Sequence, residues 1–183
     1  MRRAVLVIDV QRGLCEGEYE TFEVTQTIAR INQVTSKARS AGALVIIIQH
    51  ESKAEPFTYG SHGWELAPAL HTVATDTPLR KTASDSFHHT ELGAVLKHNA
   101  VTDLVICGMQ SDFCVDTTTR RALALGYPVV LVSDGHTTTN NKHLSAAQII
   151  EHHNQTLSNI TSFGPVVRLE KASSVTFVPS HSP

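Results

Sequence analysis

Asp9, Lys81 and Cys114 are the three side-chain types that acyl transfer through a thiol requires. A free thiol has a pKa of about 8.5, and its thiolate is the nucleophile. Cys114 falls at the expected start of a helix, where the N-terminus favours negative charge, so its thiol is expected to be more acidic than free cysteine. Lys81 would favour the thiolate further and stabilise charge on a substrate. Asp9 would take the thiol proton and pass it to a leaving amine, as general base and then as general acid. The backbone N–H groups around Gln110 and Cys114 are the natural donors to a developing oxyanion. Each residue taken singly has a plainer reading. A cysteine in an apolar chain is by default core, Asp9 a sheet-end carboxylate and Lys81 a solvated charge. The combination carries the functional reading.

The elements that must position these residues alternate between strand and helix. Ala4–Val10 is an almost uniformly apolar run of the kind buried on both faces of a parallel sheet. Across 22–41, Val24, Ile28, Ile31, Val34 and Ala38 recur at helical spacing, with Gly42 placed as the C-cap. A second strand is expected over 43–49 and a short one over 77–80. A helix over 92–99 and a strand over 104–108 follow. A helix over 115–125 then closes at Gly126, before a strand over 129–133. The last helix is expected over 144–157 and an edge strand over 165–169. This alternation predicts an α/β doubly wound sheet in one domain spanning 1–183. Ligands of such sheets bind beyond the carboxyl ends of the strands, where Asp9, Lys81 and Cys114 all fall. The stretch 51–78, with Pro56, Gly60, Gly63, Trp64 and Pro68, reads as an irregular excursion of the length that often forms a lid or pocket wall. Within it Trp64 either borders the pocket or anchors the loop. The Ser- and Pro-containing tail after Lys171 has no clear pattern.

Composition bounds the partners. Hydrophobic residues make up 41% and charged residues 17% of the 183-residue chain, which is globular rather than disordered. A net charge of −2 gives no electrostatic reason to expect nucleic acid. The longest apolar run, 43–48, falls far short of the roughly 20 residues needed to cross a bilayer. Arg2 and Arg3 precede an apolar stretch that Asp9 interrupts, so no secretory signal is read and a cytoplasmic location is expected. Cys15, Cys107 and Cys114 are odd in number and lack metal-knuckle spacing, so reduced thiols are expected. Cys107 reads as core and Cys15 as a surface thiol.

The segment Ile106–Gly135 (ICGMQSDFCVDTTTRRALALGYPVVLVSDG) resembles the signature of the isochorismatase-like cysteine hydrolases, matched at Gly108, Cys114, Val115, Thr118 and Arg121. VIDVQ at Val7–Gln11 resembles that family's Asp-x-Gln strand end. RKTASDSF at Arg80–Phe87 resembles its lysine segment. The resemblance implies a three-layer, Rossmann-like α/β fold with a mostly parallel six-stranded sheet and helices on both faces. It also implies a cis peptide between Met109 and Gln110, and a dimer or tetramer. Gln11 and Phe87 come with these motifs and join His50 and Trp64 as candidate pocket residues.

Nicotinamidases in this superfamily hold a metal through an Asp-x-His pair after the second strand. Here the matching stretch is Gln49-His50-Glu51-Ser52. His50, His62 and His71 match no ligand spacing, so neither metal nor other cofactor is expected. The adjacent pairs His88-His89 and His152-His153 read as surface features, and His136 sits past a strand end without a definable role. The expected activity is hydrolysis of a small amide, carbamoyl or ureido compound through a Cys114 thioester. Vinyl ether hydrolysis of the isochorismatase type, or an idle or redox-sensing protein, are the alternatives. No Gly-x-Ser-x-Gly elbow or Gly-x-Gly-x-x-Gly loop supports an esterase or a dinucleotide enzyme.

Overall fold

The computed structural model describes residues 2–178. Six strands form one sheet: β1 (Arg3–Ile8), β2 (Leu44–His50), β3 (Thr77–Lys81), β4 (Asp103–Met109), β5 (Val129–Thr137) and β6 (Val167–Glu170). Every pairing is parallel, and the spatial order is β3-β2-β1-β4-β5-β6. The sheet is therefore fully parallel where the sequence implied a mostly parallel one. This order places the topological switch between β1 and β4, where a doubly wound sheet opens a crevice.

Helices cover both faces. On one side α2 (Val24–Ser40) buries Ile28, Ile31, Val34 and Ala38 against Val5, Val7, Val45 and Val105. On the other, α3 (Leu92–His98), α4 (Asp116–Ala124) and α5 (Ala146–Ser158) bury Leu92, Leu96, Ala122, Leu123 and Leu157 against Leu6, Ile8, Ile106 and Leu131. Burial on both faces is why β1, β2 and β4 read as continuous apolar runs. A capping box between Ser145 and Gln148 starts α5, which explains its beginning at Ala146.

Two departures from the sequence reading shape the site. β1 stops at Ile8 rather than Val10, because Asp9 turns into the left-handed region at φ 51°. A short helix, α1 (Arg12–Cys15), follows. β5 runs on to Thr137 instead of ending at Ser133. Its pairing with β4 slips from Ile106 opposite Leu131 to Gly108 opposite His136, so the residues between form a bulge. Ser-Asp-Gly in that bulge resembles a turn signal, which hid the extension.

The excursion after β2 carries no helix or strand, yet it is tied to β1 and α1. Ala67 N–H donates to Val10 O, Arg12 N–H to Glu65 O and Gly13 N–H to Gly63 O, each at 2.9–3.0 Å. A Cβ on Gly63 would lie 2.4 Å from Pro56 O, so this packing needs glycine. The tail also packs on the fold as far as it is described. Ala172 and Val175 are buried, and Lys37 Nζ donates to Ala172 O and Ser173 O. Residues 179–183 lie outside the described residues.

Gly108, at φ 122°, is the tightest of these points. A Cβ there would sit 2.1 Å from Ile8 O, where β1 and β4 approach beside Asp9. Gly108→Ala combines backbone strain with overpacking and is expected to cost about 3–5 kcal/mol. Urea unfolding measures it, and an unchanged midpoint would refute the close approach.

Candidate active site

Asp9, Lys81 and Cys114 come from three different strand ends and meet. Asp9 ends β1, Lys81 closes β3, and Cys114 is the fourth residue of a π turn (Ser111–Val115) between β4 and α4. β3 and β1 are separated by β2, so two strand spacings of about 10 Å lie between them. A long lysine and a short aspartate together close that gap. Lys81 Nζ lies 2.7 Å from Asp9 Oδ2, with both side chains almost wholly buried. The same ammonium lies 3.1 Å from Cys114 Sγ, donates to Ala83 O at 3.0 Å, and is 3.5 Å from His50 Nδ1.

Burial by itself would push the Lys81 ammonium towards neutrality. Asp9, and then Cys114, outweigh it, so its pKa is raised. His50 is shifted down, by burial first and then by Lys81, which keeps its ring neutral as a neighbour of the ammonium. The Cys114 thiol is pushed up to about 12, by burial and then by the Asp9 carboxylate, with Lys81 only partly offsetting them. This corrects the expectation of an acidic thiol. Cys114 is half-buried in the π turn rather than at the first turn of α4, and one ammonium must serve two potential anions. Burial and the facing carboxylate thus favour the neutral thiol, and the Lys81 ammonium opposes them.

Asp9 carries two further marks. Its left-handed backbone is strained for a non-glycine residue, an arrangement that concentrates at functional sites. Its Oδ1 is buried without a hydrogen-bond partner among the described residues. An unpaired buried carboxylate oxygen is costly, and here it leaves an acceptor available beside the thiol.

The remaining predicted residues divide. Gln110 ends the cis Met109–Gln110 peptide, and its carbonyl accepts from Phe113 N–H and Val115 N–H, closing the π turn. Gln11 is fully buried and committed to backbone. Its Nε2 donates to His50 O and Trp64 O, and its Oε1 accepts from His50 N–H. It thus fastens the ends of β1 and β2 to the excursion. Trp64 packs edge-on against Tyr59 at 4.8 Å, and its carbonyl also accepts from Gln49. Phe87 stacks on Tyr127 and packs, partly buried, against the core cluster on the face that α3, α4 and α5 cover. His50, packed edge-on against Phe57, is the one of these four side chains in contact with Lys81.

Cys107 is core, as expected. Cys15 is not a surface thiol: it is half-buried, its Sγ is 3.8 Å from Met109 Sδ, and burial pushes it up to about 12. His62 instead faces Glu16, and no three His, Cys, Asp or Glu side chains among the described residues are grouped to hold a metal ion. No helix among them is long and apolar enough to cross a membrane. His88 and His89 are exposed, whereas His153 contacts Asp116 at 3.1 Å.

Sequence reasoning missed what holds the Cys114 turn. Ser111 Oγ is 2.8 Å from His136 Nδ1, and His136 Nε2 is 3.0 Å from Asn154 Oδ1. Asn154 Nδ2 donates to Ser133 O. Its Oδ1 must then accept from His136 Nε2–H, which leaves His136 Nδ1 to accept from Ser111. Burial drives the His136 pKa down to about 4, against the opposing hydrogen bond to Asn154. Ser86 and Thr118 hydroxyls meet at 2.8 Å and tie the Lys81 segment to α4. These partners are 18–32 residues apart, and no periodicity could pair them.

Residues 3–170 match the isochorismatase domain, nearly the whole of the described chain. The chain belongs to the isochorismatase family. A solved isochorismatase family protein is 36% identical, superposes with a TM-score of 0.84, and shares 92% of this chain and 98% of its own. Among curated proteins, a streptothricin hydrolase of Streptomyces noursei is 38% identical over 138 residues, covering 74% of this chain and 50% of its own length. A ureidoacrylate amidohydrolase of Agrobacterium fabrum is 27% identical over 168 residues, covering 72% and 74% respectively. The chain spans about half the length of the streptothricin hydrolases it matches.

The buried neutral His136 of this family member has a consequence for stability. A folded pKa near 4, below the ordinary 6.5, means that the unfolded chain binds the proton first. The contribution is complete above pH 6.5 and is lost as pH falls through about 4, on the order of 3 kcal/mol in all. Urea unfolding between pH 7 and 4 should show a shallower acid slope in His136→Asn than in the wild type. Equal slopes would contradict a buried neutral ring.

Proposed function

We propose that this chain is a cysteine amidohydrolase that cleaves the C–N bond of a small amide, carbamoyl or ureido compound through a thioester on Cys114. The observation that carries the reading is the position of Lys81 Nζ, 2.7 Å from Asp9 and 3.1 Å from Cys114, where the carboxyl ends of β1, β3 and β4 come together. The streptothricin hydrolase and ureidoacrylate amidohydrolase likenesses support hydrolysis, and the latter an amide bond.

The charge arrangement supports an order of events. The thiol rests protonated because a thiolate would add a second buried anion to one ammonium. A substrate carbonyl beside Sγ supplies the missing compensation, since negative charge moves from sulfur to oxygen as the S–C bond forms. The thiol proton passes to Asp9, whose unpartnered Oδ1 can accept it. The Gln110 and Cys114 N–H groups are assigned to the oxyanion. The C–N bond then breaks, and Asp9 returns the proton to the departing amine or ammonia. Water attacks the thioester with Asp9 again as base, giving the acid and regenerating Sγ–H. Lys81 holds the carboxylate and compensates charge throughout without itself transferring a proton. His50, Trp64 and the excursion that carries Trp64 are assigned to the pocket wall, with Gln11 holding that wall to β1. Gln11 and Phe87 are then supports rather than substrate contacts.

Incubation of the protein with a library of small primary amides and ureido compounds, followed by intact-mass measurement, tests this. An acyl adduct on the wild type that accompanies ammonia release, and is absent from Cys114→Ala, is expected. An adduct of the same mass on Cys114→Ala would remove Cys114 as nucleophile. Asp9→Asn keeps the shape but loses the proton acceptor, so kcat on any amide that is turned over should fall about 100- to 10,000-fold. A fall of less than about tenfold would exclude Asp9 as the general base.

A further inference from the structure

The turn that presents Cys114 is of an unusual kind. A π turn holds one residue more than an α turn, is rare, and recurs at functional sites. Relaxation of Ser111–Val115 into α geometry would rotate the residues after the insertion by about 100°, one residue's step around a helix. Something outside the turn must hold it.

That support comes from β5 and α5. Ser111, the first residue of the turn, is fully buried, and its hydroxyl meets the buried ring of His136 at 2.8 Å. Asn154 on α5 fixes the opposite ring nitrogen at 3.0 Å and is itself anchored on Ser133 O within the β5 bulge. A second tie runs from Thr138 Oγ1 to Asp112 Oδ1 at 2.6 Å. The bulge is what brings His136 level with Gly108 on β4, directly before the turn. A cavity of about 220 Å³ reaches both His136 and Asn154, so packing does not enclose the ring on every side and its hydrogen bonds orient it. Three buried polar side chains stand where apolar ones would fill space at no polar cost, and each side-chain polar atom of Ser111, His136 and Asn154 has a partner. Such fully satisfied networks make a local structure unique.

We infer that His136 is a positioning residue for the proposed nucleophile: through Ser111 it holds the π turn that aims Cys114 at the Asp9–Lys81 pair. This inference rests on the reading of Cys114 as nucleophile. The position of the ring nitrogens makes the role separable from bulk stability. In His136→Asn the amide oxygen occupies the place of Nδ1 and can still accept from Ser111. In His136→Gln the amide reaches the place of Nε2, keeps Asn154 and abandons Ser111.

The test follows acylation of Cys114 by p-nitrophenyl acetate, as p-nitrophenolate release and as the mass of the Cys114 peptide. It compares the wild type, Ser111→Ala, His136→Asn and His136→Gln at pH 7.5, with rates corrected for the folded fraction. Ser111→Ala and His136→Gln should acylate roughly tenfold or more slowly, while His136→Asn stays within a few-fold of the wild type. That order is not the order of their melting temperatures, because both histidine replacements give up a buried ring. Wild-type rates in Ser111→Ala and His136→Gln would reduce the network to structure and overturn the proposal. A wild type that is not acylated at Cys114 would overturn the nucleophile reading together with this one. Should His136→Gln fail to fold, Ser111→Ala, which deletes a single oxygen, decides by itself.

Discussion

The buried contact between Lys81 and Asp9 is the constraint around which the rest of the structure is organised. An ammonium and a carboxylate withdrawn from water together are expensive, and their attraction repays the cost only when geometry and further hydrogen bonds are good. Here the ammonium is surrounded by Asp9, Ala83 O, Cys114 and His50. The carboxylate is supplied by a backbone forced into the left-handed region and retains an unpartnered oxygen. A pair selected for stability alone would satisfy both oxygens and relax the backbone. Strain and an open acceptor at one residue fit the proposed role of Asp9 as the group that takes the thiol proton.

The sheet makes this arrangement affordable. Parallel order puts the carboxyl ends of β3, β1 and β4 on the same edge of the sheet, with the switch between β1 and β4. Gly108 lets β4 come close enough to Ile8 that the turn bearing Cys114 begins next to Asp9. Gln11 then performs a task that no apolar residue could. Its amide pairs with both backbone groups of His50 and with Trp64 O, so one side chain holds β1, β2 and the excursion together just beyond the ladder. The excursion needs this because it has no hydrogen-bonded regular structure of its own.

Much of the fold was legible in the sequence because burial on both faces leaves a simple trace. Runs such as Ala4–Ile8 and Val45–Ile48 have no polar alternation, and α2 carries its apolar stripe openly. Asp9, Lys81 and Cys114 were legible for a related reason, since polar and reactive side chains stand out where such runs end. What stayed hidden depends on pairing across the chain. The β5 extension was masked by Ser-Asp-Gly, whose turn chemistry is overridden by pairing with β4 at His136 and Thr137. Gln11 and Phe87 join the pocket candidates through motifs, which record that a residue is needed without recording whether it faces the ligand or the scaffold; the contacts of Gln11 with backbone favour the scaffold. The thiol was misjudged in a similar way. The dipole of a helix start is a local property, whereas burial and the facing carboxylate belong to the assembled site.

That misjudgement bears on how the site works. A permanently ionised thiolate would compete with Asp9 for the single ammonium and would lie exposed to oxidation and stray electrophiles. In the proposed mechanism a neutral thiol beside an ion pair avoids both, and its nucleophile would form only as a carbonyl arrives to take up the charge. On that proposal the proton moves from sulfur to a carboxylate already in place, so the net charge of the buried group does not change before the S–C bond forms. Such a scheme depends more on aim than on acidity, because sulfur, Asp9 Oδ1 and the carbonyl carbon must be aligned at the same moment. Several buried polar side chains stand where the proposed alignment would be set: Gln11 behind the wall at His50, Ser86 and Thr118 between the Lys81 segment and α4, and Ser111, His136 and Asn154 behind the turn that carries Cys114.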